Sequence, residues 1–226
     1  MKKILCLILT AIMLVCLCGC FEDTDVEDVR GEISSNNNQE EKPDETESEF
    51  SLGKTANSTY SNDFLGISCA LPSEWVFYTD EEILALNNIV GDVLDEEVAE
   101  TLKNADIIYD MFAENDTDFC NMNLNLEKVS PSQLINLDIA QVMESQIDTI
   151  KSTYQNMGYT DINIVSQKVT VDGEEFDGLK ITAKLQNVDF YGIVFTFRKG
   201  NYLANVSLCS LISDKTDTIL SYFTIE

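Results

Sequence analysis

Seven cysteines are the softest nucleophiles in this 226-residue chain, and no histidine stands beside them. Without imidazole, the His-containing nucleophilic triads are excluded, and nearly all catalytic zinc sites go with them. The seven fall into two groups. Cys6, Cys16, Cys18 and Cys20 crowd the N-terminus, whereas Cys69, Cys120 and Cys209 are far apart. Each of the latter three sits in an alternating row: Ile67-Cys69-Leu71, Cys120-Met122-Leu124-Leu126 and Ser207-Cys209-Leu211. They read as small buried hydrophobes. One disulfide plus a free thiol, or a three-thiolate metal site, are the alternatives; no C-x-x-C spacing supports the second.

The charged candidates are two. In Glu114-Asn115-Asp116-Thr117-Asp118 the alternating carboxylates of Glu114, Asp116 and Asp118 could converge on Ca²⁺. The stretch lacks the glycine and the distal bidentate Glu of an EF-hand loop, so a solvated hairpin tip is the simpler reading. Lys180, Lys184, Arg198 and Lys199 are the local positive charge of an acidic domain and could hold an anionic ligand. A solvated sheet face is the default for them. The runs Asp80-Glu81-Glu82 and Asp95-Glu96-Glu97 suggest acid–base work, but both fall in first turns of helices, where the dipole favours carboxylates. No glycine-rich phosphate loop, nucleophile elbow, paired metal motif or repeat occurs, and no cofactor is expected.

The N-terminus has a chemistry of its own. Lys2 and Lys3 precede an apolar run from Ile4 to Val15, the order of parts in a secretory signal peptide. The run is too short for a spanning helix, which needs roughly 18 apolar residues. The following Leu17-Cys18-Gly19-Cys20 resembles the lipobox of bacterial lipoproteins, Gram-positive type. That resemblance implies a diacylglycerol on the Cys20 thiol, cleavage after Gly19, and a palmitate-like membrane anchor at the outer face of the cytoplasmic membrane. Cys18 is the rival acceptor, but it would put bulky Leu17 at the cut.

Formal charge is −26, from 40 acidic against 14 basic residues. Such a surface repels nucleic acid, which requires clustered Lys and Arg, so nucleic acid is not an expected partner. Much of the acid lies in 20–57, where Arg30, Lys42 and Lys54 are the only cations. With almost no aliphatic residues, this stretch is expected to be a disordered tether, spanning about 35 Å or more between its ends. The expected organisation is a signal peptide over 1–19, lipidated tether over 20–57, and one monomeric α+β domain over 58–226.

Within that domain the pattern changes period in a readable order. Tyr60 to Tyr78 alternates about Gly66 and is expected as a hairpin followed by a Leu71-Pro72 corner, with Trp75 in the core. Thr79 and Glu82 form a capping box for a helix to about Ile89, and Asp95 starts a second helix to about Asn104. Strands follow over Ile107–Ala113 and Phe119–Val129. Ser130-Pro131-x-Gln133 opens a helix whose apolar spacing runs unbroken to Gly158. Then the period returns to two, with turns at Asp172-Gly173 and Lys199-Gly200-Asn201, giving an antiparallel meander. Ser213 caps a last helix containing Ile219, Leu220 and Phe223. The sum is an α+β fold, a largely antiparallel sheet covered by helices.

The aromatic strand, the Gly66 turn and the Leu71-Pro72-Ser73-Glu74-Trp75 corner resemble the opening of uncharacterised clostridial-type lipoproteins with a PsbP-like layout. The resemblance implies fold and surface location and carries no functional residue. The leading expectation is a non-catalytic, membrane-anchored module that binds a protein or small ligand. A carboxylate-dependent hydrolase and an assembly factor for exported proteins are the alternatives.

Overall fold

The computed structural model describes residues 50–89, 98, 101–102, 104–135 and 137–226. The expected signal peptide, Cys20 and the stretch to residue 49 lie outside the described residues, as does most of the helix expected from Asp95. In chain order the elements are β1 (Lys54–Ala56), β2 (Thr59–Asn62), β3 (Ile67–Ala70), β4 (Val76–Phe77) and α1 (Asp80–Leu86). Then come β5 (Ile107–Asn115), β6 (Cys120–Lys128), α2 (Pro131–Leu134) and α3 (Ile139–Asn156). The chain continues through β7 (Tyr159–Val171), β8 (Glu174–Leu185), β9 (Val188–Lys199), β10 (Tyr202–Leu211), α4 (Thr216–Leu220) and β11 (Phe223–Ile225).

The strands form two antiparallel sheets, β1-β2-β3-β11 and β4-β5-β6-β10-β9-β8-β7. This bears out the α+β class and the antiparallel meander. The larger sheet is the middle layer. One face sends Met122, Leu124, Leu126, Val206 and Phe195 against Tyr60, Ile67, Cys69 and Phe223 of the smaller sheet, with Trp75 also in that cluster. The other face presents Leu179, Ile181, Phe190 and Val194 to Met143, Ile150 and Tyr154 of α3. The side-chain alternation of each strand feeds both cores. Among the described residues no helix is long and apolar enough to cross a membrane.

Local signals explain most boundaries. Thr79 caps α1 with its hydroxyl on the Glu82 N–H (3.3 Å), and the Glu82 carboxylate returns to the Thr79 N–H (2.7 Å). Asp172 and Gly173 both take positive φ (49° and 88°), as a two-residue turn between right-twisted strands requires.

Four expectations are corrected. The long helix is two: α2 ends near Ile135, and Asp138 starts α3 by accepting from the Gln141 N–H at 3.1 Å. A side-chain cap inside an apolar repeat had ended the helix where periodicity alone would carry it through. The last helix begins at Thr216 rather than after Ser213, with Asp214 accepting from the Thr216 N–H (3.1 Å). Phe223 belongs to β11, which closes the small sheet on β3. Finally, order begins before Thr59. Phe50 stacks on Tyr202 (ring centroids 4.8 Å apart, planes 20° apart), and β1 pairs with β2, so Phe50–Ala56 is part of the domain rather than of the tether.

Candidate functional site: a polar row under the long helix

The predicted charged sites do not assemble. Among the described residues no group of three or more His, Cys, Asp or Glu side chains could hold a metal ion, so Glu114, Asp116 and Asp118 do not converge. Asp118 instead pairs with Lys215, and the Asn115 side chain accepts from the Asp118 N–H at 3.0 Å to fold the turn. The cationic patch is dispersed as well. Lys180 pairs with Asp214 at 3.1 Å and Lys184 with Asp189 at 3.2 Å. Arg198 donates from Nε to the Gly200 carbonyl at 2.9 Å, near the opposite end of β9 from the register position of Lys184. Neutralising carboxylates and strand spacing leave no concentrated positive field for an anion.

The cysteines behave as expected of buried hydrophobes. Cys69, Cys120 and Cys209 are buried and no disulfide joins them. Burial pushes the Cys69 thiol up to about 12 and, chiefly by the same cause, the Cys120 thiol to about 11. Neither is a thiolate at neutral pH, so neither is an activated nucleophile.

What the structure brings together was not singled out by sequence. In Cys120-Asn-Met-Asn-Leu-Asn-Leu-Glu127 the apolar row faces the small sheet, so Asn121, Asn123, Asn125 and Glu127 share the opposite face of β6. The register sets Asn125 beside Asn205 and Asn123 beside Ser207 on β10, and Asn205 beside Thr196 on β9. On the other flank, Asn123 and Asn125 stand opposite Phe112 and Tyr109 of β5. Of these nine β6, β9, β10 and β5 side chains, all but Tyr109 are at most 5% exposed; Tyr109 is 9%.

A hydrogen-bonded chain orders half of this row. The Thr196 hydroxyl donates to Asn205 Oδ1 (2.7 Å), Asn205 Nδ2 to Asn125 Oδ1 (3.2 Å), and Asn125 Nδ2 to Asn123 Oδ1 (3.5 Å). The chain ends at Asn123, whose Nδ2 has no hydrogen-bond partner; Ser207 Oγ, Glu127 Oε2 and Gln146 Oε1 share that condition. Buried polar atoms in this state are rare, and each costs about 1–3 kcal/mol.

Gln146 comes from α3. The Met143 sulfur lies 3.6 Å from the Thr196 hydroxyl, and Tyr154 packs on Phe190 with ring centroids 5.5 Å apart. The helix therefore runs alongside β9 in the opposite direction. Gln146, about 4.5 Å along the helix from Met143, is buried as well. At the far end Glu127 is held neutral unusually long: burial first, and the nearby Asp106 charge second, raise its carboxyl to about 7. The arrangement offers donors and acceptors without a nucleophile.

A second buried carboxyl has a structural task. At the β5 bulge, Asp110 accepts from the Tyr60 hydroxyl (2.6 Å), Asn62 Nδ2 (2.6 Å) and the Gly53 N–H (2.8 Å). Burial raises its pKa while these three donors oppose the rise. It ties the N-terminal arm and β2 to the large sheet.

No family model matches the chain, and no curated protein matches it. Solved structures do. One, from Bacteroides thetaiotaomicron, has 10% identity and a TM-score of 0.37, covering 71% of this chain and 45% of that one. This chain thus spans less than half of that protein's length. Another is LpqN of Mycobacterium tuberculosis, described as involved in cell envelope biogenesis, with 11% identity and a TM-score of 0.38 over 70% of this chain and 82% of LpqN.

Proposed function

We propose that this protein is a membrane-anchored, extracytoplasmic binding module. Cys20 carries the lipid, the acidic stretch up to the domain is the spacer, and the polar row under α3 is the ligand-facing part of a PsbP-like domain. The observation that supports a binding role is the row itself. Amides and hydroxyls there are buried and pre-positioned by the Thr196–Asn205–Asn125–Asn123 chain, yet four polar atoms have no partner. Such groups recognise a complementary polar surface. Two or more acyl chains on Cys20 would hold the domain firmly, since each buried CH₂ contributes about 0.8 kcal/mol.

The anchor is tested by metabolic labelling with an alkyne analogue of palmitate, followed by membrane fractionation. The expected result is a labelled, membrane-bound protein, and an unlabelled full-length precursor for Cys20→Ala. A labelled, processed Cys20→Ala product would overturn it.

One observation favours a second reading, a carboxylate-dependent hydrolase. Glu127 is buried, raised to about 7, and senses the Asp106 charge, as a general acid beside a second carboxylate would. Release of reducing ends from a neutral oligosaccharide, lost in Glu127→Gln, would select this reading over the binding module.

A further inference from the structure

The partnerless atoms define the ligand they would suit. Asn123 Nδ2 donates, Gln146 Oε1 accepts, and Ser207 Oγ can do either. A hydroxyl group, both donor and acceptor, satisfies any of the three. Two hydroxyls on neighbouring carbons could span Asn123 and Ser207, which face each other across β6 and β10. The Asn123–Ser207 part of the row carries no formal charge: Glu127, at the far end, stands four residues along β6 from Asn123, about 13 Å away. The cations expected to attract an anion are paired or remote, and the formal charge of −26 repels one. Phe112 and Tyr109 supply apolar ring surface beside the amides, with Tyr78 packed on Phe112 at 4.3 Å between centroids.

Resting on the reading of the domain as a binding module, we propose that the row of Asn123, Ser207 and Gln146, flanked by Phe112 and Tyr109, is a site for a neutral, hydroxyl-rich molecule of the saccharide class. The Asn125–Asn205–Thr196 chain fixes the orientation of Asn123, so that its amide hydrogens point to the ligand position. These side chains are closed over in the free protein, so the cover must shift to admit a sugar, and association is slower than for an open site.

The test is calorimetric titration of the detergent-solubilised full mature chain. The probes are the neutral tetramers of β-1,4-linked N-acetylglucosamine, β-1,4-linked glucose and α-1,4-linked glucose, with glucose 6-phosphate and an alkylamine as charged controls. At least one tetramer is expected to bind with Kd of about 1 mM or tighter, and neither control to bind comparably. Asn123→Leu should weaken binding at least about tenfold, and Lys184→Ala should leave it unchanged. Ser207→Ala removes only an unpartnered hydroxyl, so it should keep or raise the melting temperature while weakening binding, and it carries the test if Asn123→Leu fails to fold. No binding by any tetramer, equal binding of a charged control, or unchanged binding in Ser207→Ala would each overturn the site. A sugar that binds elsewhere overturns this inference and leaves the binding-module reading standing.

Discussion

Glu127 is the residue at which chemistry and stability meet. Its carboxyl ionises near 4.5 in the unfolded chain and near 7 in the fold, because burial and Asp106 disfavour the charge. Between those values the native state binds more protons than the unfolded state, so stability falls as pH rises through the window. Below about 4.5 the penalty is absent, and above about 7 it is fully present, on the order of 3 kcal/mol. Glu127→Gln should therefore be more stable than wild type at pH 8 and similar to it at pH 4. Urea midpoints across that range measure it; parallel curves for the two proteins would contradict the burial of this carboxyl.

At the level of elements, the N-terminal arm illustrates how a few contacts decide a boundary. Phe50 stacks on Tyr202, and the Gly53 N–H satisfies Asp110. A Cβ on Gly53 would collide with the Tyr60 ring, which is itself fixed by its hydroxyl on Asp110. A chain starting at Ser58 should thus lose about 2–4 kcal/mol relative to one starting at Phe50, since it forfeits aromatic burial and leaves one Asp110 oxygen without its donor. Gly53→Ala should lie between the two. Equal melting temperatures for all three would mean that the arm adds nothing.

The same arm shows what was legible in the sequence and what was not. Lys54, Thr55 and Ala56 have no apolar alternation, and β1 exists because β2 offers it an edge. The hairpin about Gly66, the α1 capping box and the β7–β10 meander were readable because each is set by neighbours a few residues apart. The polar row was half-readable. Period two in β6 announces two faces, and the apolar one drew attention as core. That the Asn face is also buried depends on pairing with β10, where Asn205 meets Asn125 from eighty residues later, which no local signal encodes. The break before α3 was visible only as an Asp at position 138, whose capping role competes with an otherwise continuous apolar repeat.

For the whole molecule, two unlike cores share one sheet. The face toward the small sheet is apolar, while the α3 face passes from apolar at β8 and β9 to polar at β6 and β10. A fold optimised only for stability would fill that second region with aliphatic side chains, because buried polar atoms without partners are costly. The proposed binding function would supply a physical reason to keep them, and it is the central claim made for this protein. The most direct measurement is NMR of the side-chain amides during titration with the neutral tetramers. The expected result is that Asn123 Nδ2 and Gln146 Nε2 resonances move together with saturation, while those of surface amides stay still. Shifts confined to other regions, or none at all, would contradict a ligand site under α3.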